Sequence, residues 1–126
     1  MDKLKFINEQ MGIIAVPYEF MEWTQTPVVY PYGVGEITED PITTEDGAEQ
    51  STLLLTFFHR GKMIDLLAIK EKIKKHFPPV HGLRGETEGG AIAAFYDGFF
   101  PIPSGEADLK KIQINIIIKE WKGAVE

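Results

Sequence analysis

The chain reads as an α+β domain, a mostly antiparallel sheet of four to five strands with two helices packed on one face. Three observations predict this. Ile112, Ile114, Ile116 and Ile118 alternate with Lys111, Gln113, Asn115 and Lys119, the period of a strand with one buried and one wet face. Met63, Leu66, Ile69, Ile73 and Phe77 recur at helical spacing until Pro78-Pro79 forbids continuation. Only one other stretch has a helical period, so helices are too few for a doubly wound parallel sheet.

That other helix is expected over Asp2 to Met11, with Leu4, Ile7 and Met11 on its apolar side and Gly12 at its end. Ile13 to Trp23 reads as an extended segment starting as an edge strand, because Pro17 cannot donate to a ladder. Thr26 to Ile37 is rich in strand formers but interrupted by Pro31, Gly33 and Gly35, which predicts a bent or bulged strand. Glu39 to Gln50 is acidic, poor in apolar groups and carries a Pro and an Asp-Gly pair, so an exposed, mobile loop or hairpin tip is expected. Ser51 to Arg60 is apolar on both alternating faces, the mark of a central strand. After the second helix, Val80 to Gly90 reads as a glycine-rich connector, Ala91 to Phe100 as a strand and Pro101 to Asp108 as a turn region. No repeat or second domain interrupts residues 1–126.

Composition narrows the function classes. The 126 residues suit one domain, and a 44% hydrophobic content is enough for that domain to fold. The absence of cysteine excludes disulfides, a thiolate nucleophile and a cysteine zinc site, and nothing suggests an oxidising compartment. The opening residues lack the apolar stretch of a signal peptide, and no run approaches the ~20 residues of a membrane span, so synthesis in a cytoplasm and no membrane partner are expected. A formal charge of -6 repels phosphate, which argues against general nucleic-acid affinity. Lys70, Lys72, Lys74 and Lys75 form a basic cluster, and its ordinary reading is the wet face of a helix.

No constellation carries chemistry. His59, His76 and His81 lack the spacing of metal ligands. Asp97, set between Phe95 and Phe99, is the one carboxylate outside the wet segments that stands in an apolar strand, and a sheet position facing solvent or a cross-strand ion pair accounts for it. Gly33-Val34-Gly35 and the Gly82 to Gly90 run, which includes Arg84, lack the Lys and Ser/Thr of a phosphate-binding loop. Neither Ser51 nor Ser104 sits in a nucleophile-elbow motif. No catalytic, metal or cofactor-binding residue is assigned. What stands out is apolar surplus: Trp23, Phe57, Phe58, Phe95, Phe99, Phe100 and Trp121 either pack inside or offer a surface to a partner. The candidate partner interface is Glu39, Asp40, Glu45, Asp46 and Glu49 of the acidic loop with Phe58, Phe99 and Phe100.

The layout resembles the small tail-completion proteins of long-tailed bacteriophages and prophages, the group of tail terminators and tail-to-head joining proteins. The resemblance runs through the amino-terminal helix, the entry Ile14 to Tyr18, the Thr26 to Glu36 strand, the acidic loop, Leu53 to Arg60, the helix ending near Phe77 and two closing strands. It implies a ring, commonly of six subunits, that ends the tail tube and docks the head. It also implies the tail-tube protein and a head-completion protein as partners, passage of DNA without sequence-specific binding, residence in the virion tail after synthesis in the host cytoplasm, and no catalytic residues or cofactor. Two other readings stay open: a ligand-binding or enzymatic domain with a pocket between sheet and helices, and an acidic module mimicking nucleic acid through Glu39 to Glu49.

Overall fold

The computed structural model describes residues 2–20, 30–39, 49–87 and 90–122. Its elements are α1 (Asp2–Ile13), β1 (Tyr18–Phe20), β2 (Tyr32–Glu39), β3 (Glu49–His59), α2 (Met63–His76), β4 (Leu83–Thr87), β5 (Gly90–Ile102) and β6 (Lys110–Lys122). They form an α+β fold with one six-stranded sheet in the order β1-β2-β3-β6-β5-β4. The sheet is mixed, since β1 pairs with β2 in parallel and every other pair is antiparallel. It is also curled: α1 touches β4 at one edge and β1 at the other.

The two central strands place the core. Leu53, Leu55 and Phe57 of β3 stand opposite Ile116, Ile114 and Ile112 of β6, and all six are fully buried. Side chains two apart share a face, so this register puts every one of them beneath the helices. Ile7 and Met11 of α1 and Leu66, Ile69 and Ile73 of α2 join the same cluster. The helix expected after Gly61 therefore forms as read and ends at His76, where the Phe77 amide still bonds back to the Ile73 carbonyl. α1 runs two residues past Met11, and the chain reverses at Ala15, whose φ of 55° is left-handed.

Three expectations are corrected. The connector from Val80 to Gly90 contains a strand, β4, which pairs with Ala94 to Gly90 of β5 and brings the sheet to six strands rather than four to five. Glycine is useful there because a Cβ at Gly85 would meet the Phe6 ring of α1, so the bare backbone lets the helix approach the edge. Gly33 and Gly35 do not bulge β2. They keep unbroken register with Phe57 and Leu55, and they are small because the Phe57 ring lies over Gly33 and the Tyr18 ring over Gly35. The register shift lies instead in β5, between Tyr96 and Gly98, with Asp97 as the extra residue and Gly98 at φ 134°. Asp97 is therefore an exposed bulge residue, and the bulge lets Tyr96 and Phe99 both pack against the core although three positions separate them. Finally, the ends of the expected acidic loop, Glu39 and Glu49, belong to β2 and β3, while residues 40–48 lie outside the described residues, as does the 21–29 part of the first two strand expectations.

The Gly33 contact gives a direct check. Gly33→Ala drives a methyl group into the Phe57 ring at the centre of the core and is expected to lower stability by about 2 kcal/mol, as overpacking does. Urea denaturation of the two proteins measures it, and an unchanged midpoint contradicts the packing described.

Candidate functional site

The sheet face away from the helices brings together side chains from several strands. Alternation puts Tyr32, Val34 and Glu36 of β2, Leu54, Thr56 and Phe58 of β3, and Gln113, Asn115 and Ile117 of β6 on it. Tyr32 stacks on Phe58 with ring centroids 5.0 Å apart, and Tyr30 lies 5.5 Å from Tyr32. Cations cover these rings. Arg60 lies 5.6 Å from the Tyr30 centroid, Lys111 5.6 Å from that of Phe58, and Lys119 5.8 Å from that of Phe95. Such long side chains lay their stems on apolar surface while the charge stays wet, so the face is amphipathic rather than bare. At its centre the Asn115 Oδ1 is buried with no hydrogen-bond partner among the described residues.

Toward the β5 side of this face lies an open hollow of about 300 Å³, lined by Phe95, Ile117, Val80, Gln50, Asp97 and Lys119 among others. Phe95 and Ile117 of its lining lie on the open face, Tyr96 packs against the core, and Pro79 and Val80 follow α2.

Arg60 organises one end of the molecule. Its guanidinium donates to Glu106 Oε2 at 2.9 Å, Asp108 Oδ2 at 2.8 Å and the Tyr30 hydroxyl at 3.2 Å, tying the end of β3 to the β5–β6 turn and the start of β2. The bond from Arg60 holds the Asp108 carboxyl below the usual carboxylate range. Nearby, His59 is buried with Nε2 2.7 Å from Asp65 Oδ2 in the first turn of α2, and its Nδ1 has no hydrogen-bond partner among the described residues.

The opposite end is built on a buried lysine. Lys3 Nζ donates to Glu39 Oε1 at 2.8 Å and to Ser51 Oγ at 3.1 Å, and it stands 3.6 Å from Glu120 Oε1. One cation thus joins α1 to β2, β3 and β6 near the end of β2 and the start of β3. Sequence reasoning placed Leu4 on the inner side of α1 and passed over Lys3. The signal was present: Lys3, Ile7 and Met11 are spaced by four and share one stripe, and Lys3 is buried where Leu4 is only half-buried.

The histidines lie apart. His76 bonds through Nε2 to Gln10 Oε1 at 2.7 Å, joining the carboxyl ends of the helices, and burial pushes its pKa below the ordinary histidine value. His81 is exposed on the turn before β4. Among the described residues, no group of three or more His, Asp or Glu could hold a metal ion, and no helix is long and apolar enough to cross a membrane.

Of the candidate interface residues, Phe58 lies half-buried in the aromatic stack and Phe100 is 46% exposed. Phe99 packs on the helix side instead, against the core and under Lys70, whose Nζ is 4.7 Å from the ring centroid. Glu39 is engaged with Lys3 and Glu49 is exposed at the start of β3. Asp40, Glu45 and Asp46 lie outside the described residues, as does Trp23. The structure therefore gathers Phe58 and Phe100 on the open face, while Glu39 and Glu49 stand at one end of the sheet. Compared with family models and with curated proteins, the chain matches none.

The Lys3 site carries a prediction. Lys3→Ala leaves Glu120, only 17% exposed, without its cation and Ser51 without its donor. The expected loss is roughly 2 kcal/mol, less than the ~3–5 of a fully buried pair because Glu39 remains in water. Denaturant titration measures the loss, and adding Glu120→Gln is expected to recover part of it by removing the stranded charge.

Proposed function

We propose that the chain is a structural tail-completion subunit of a long-tailed phage or prophage, forming a ring at the end of the tail tube that terminates the tail and joins it to the head. The observation that carries the reading is the open sheet face. Both helices serve a single core on the other side, and this face keeps Tyr32, Leu54, Phe58, Phe95, Phe100 and Ile117 at or near the surface with a buried, unsatisfied acceptor at Asn115. Apolar and aromatic groups gathered on one open sheet face are what a subunit contact covers. The element order that resembles the tail-completion group supports the same reading.

In this role the work is geometric, with no cofactor and no catalytic group. The partners are further copies, six in the common arrangement, together with the tail-tube protein and a head-completion protein. DNA passes through without sequence-specific contacts, and an acidic wall repels it rather than holding it. The place of action is the virion tail, after synthesis in the bacterial cytoplasm. Tail terminator and head-side adaptor are both consistent with this layout.

Deleting the gene from the phage or prophage that encodes it is expected to give tails of irregular length that fail to join filled heads, read by electron microscopy. Normally joined tails of uniform length overturn the reading. The hollow by Asp97 and Lys119 favours a second one, a small-ligand-binding or enzymatic domain. That reading predicts a ligand in a thermal-shift screen that raises the melting temperature of the native chain but not of Asp97→Ala, and a screen without such a ligand counts against it.

A further inference from the structure

The hollow beside β5 owes one of its walls to the end of α2. β4 pairs with β5 only as far as Ala94, and two residues further on the Tyr96 amide donates to the Phe77 carbonyl at 2.9 Å. That bond draws the chain after α2 against β5, so Pro79 and Val80 join Phe95 and Ile117 around an open space of about 300 Å³. Val80 is 80% exposed, an apolar side chain left in water at the rim. The volume stands at the lower end of the range of ligand pockets, about 300–1,000 Å³, and an apolar lining with a few polar groups is their usual make-up.

The register places the charged groups. Phe95 stands opposite Ile117, and the two make an apolar floor on the open face. Lys119 lies two residues beyond Ile117, opposite Ala93, while Asp97 lies two residues beyond Phe95 as the extra residue of the bulge. Because the strands run antiparallel, the two charges stand toward opposite ends of this floor. The backbone offset from Ala93 to Asp97 is roughly 13 Å at ~3.3 Å per residue, and Lys119 shortens the gap by leaning inward. Its Nζ lies 5.8 Å from the Phe95 ring centroid. Both charges line the same hollow, yet among the described residues neither takes part in a hydrogen bond or an ion pair.

We propose that the hollow binds a small zwitterion whose ammonium and carboxylate stand at opposite ends of an apolar chain, an ω-amino acid in chemical class. Its ammonium pairs with Asp97, its carboxylate pairs with Lys119, and its methylenes lie on Phe95 and Ile117 against Val80. A simple anion or cation satisfies one end alone. An α-amino acid carries both charges on neighbouring carbons, which suits two groups at opposite ends of a floor less well than a linear molecule does. The inference rests on the small-ligand reading of this hollow and adds the chemical class of the ligand.

Titration of the nitrogen-15-labelled native chain with 6-aminohexanoate, followed by two-dimensional NMR, tests it. The expected result is saturable shifts at the amides of Phe95, Asp97 and Lys119. The affinity is expected to exceed that for hexylamine and for hexanoate, which each lack one charge, by about fivefold or more. Asp97→Asn and Lys119→Met, the latter keeping an apolar stem on the Phe95 ring, should each weaken 6-aminohexanoate by about fivefold or more. Asp97→Asn should not weaken hexanoate, and Lys119→Met should not weaken hexylamine. Spectra of the free variants check that they fold, and if one does not, the three compounds on the native chain decide. 6-Aminohexanoate that moves none of these amides, or that binds no better than hexylamine, hexanoate or phenylalanine, overturns the inference. A different compound from the thermal-shift screen that still requires Asp97 then leaves the small-ligand reading standing, and a screen without one removes both.

Discussion

The structure depends on the antiparallel pairing of β3 with β6. Eleven consecutive residues of β3, Glu49 to His59, face eleven of β6 without a register break, and this ladder sets Leu53, Leu55 and Phe57 against Ile116, Ile114 and Ile112. A slip of one residue in β6 would turn Ile112, Ile114 and Ile116 outward and bring Lys111, Gln113 and Asn115 under the helices, and the same slip in β3 would trade Leu53, Leu55 and Phe57 for Thr52, Leu54 and Thr56. Burying a lysine and an amide without partners costs far more than the threonines and Leu54 could return, so the register is strongly specified. Everything else is added to the flanks of this ladder, β2 with its glycines beside β3, and β5 with its bulge beside β6.

The helices are joined to that ladder by different physics. α2 docks by burying Leu66, Ile69 and Ile73, with His59 and Asp65 closing its amino end. α1 buries Ile7 and Met11, but its first turn is held by Lys3, a single ammonium shared among Glu39, Ser51 and Glu120. Such a site contributes little net stability beyond what a well-packed apolar residue would, because desolvation offsets the attraction. Its effect is positional: it fixes where α1 sits relative to the ends of three strands, and it anchors Glu39 at the end of β2.

The two faces of the sheet then have different fates. One is closed by helices into a continuous core, and the other carries stacked aromatic rings shaded by Arg60, Lys111 and Lys119. Cation cover makes that face tolerable in water while leaving it able to accept a partner, since the long side chains can swing aside more readily than a packed residue can move.

Much of this was legible in the residue pattern. The alternation of Ile112 to Ile118, the period of Met63 to Ile73 and the two-faced run of Leu53 to Phe58 are local signals, and local signals of that strength report which side of an element is buried. They determined the α+β class, both helices and the central strands. The glycines misled because a glycine in a sequence advertises backbone freedom, whereas at Gly33, Gly35 and Gly85 its use is the space that an aromatic ring from another element occupies. The same limit hid β4, whose five residues become a strand only because β5 offers an edge. It also hid Lys3, whose partners lie 36 and 48 residues away in sequence. The sequence by itself thus determined the elements and their buried sides, because those follow from the period of hydrophobic groups along a stretch. Strand order, the bulge at Asp97 and the lysine-centred joint were decided only by the tertiary structure, because each depends on which distant segments become neighbours.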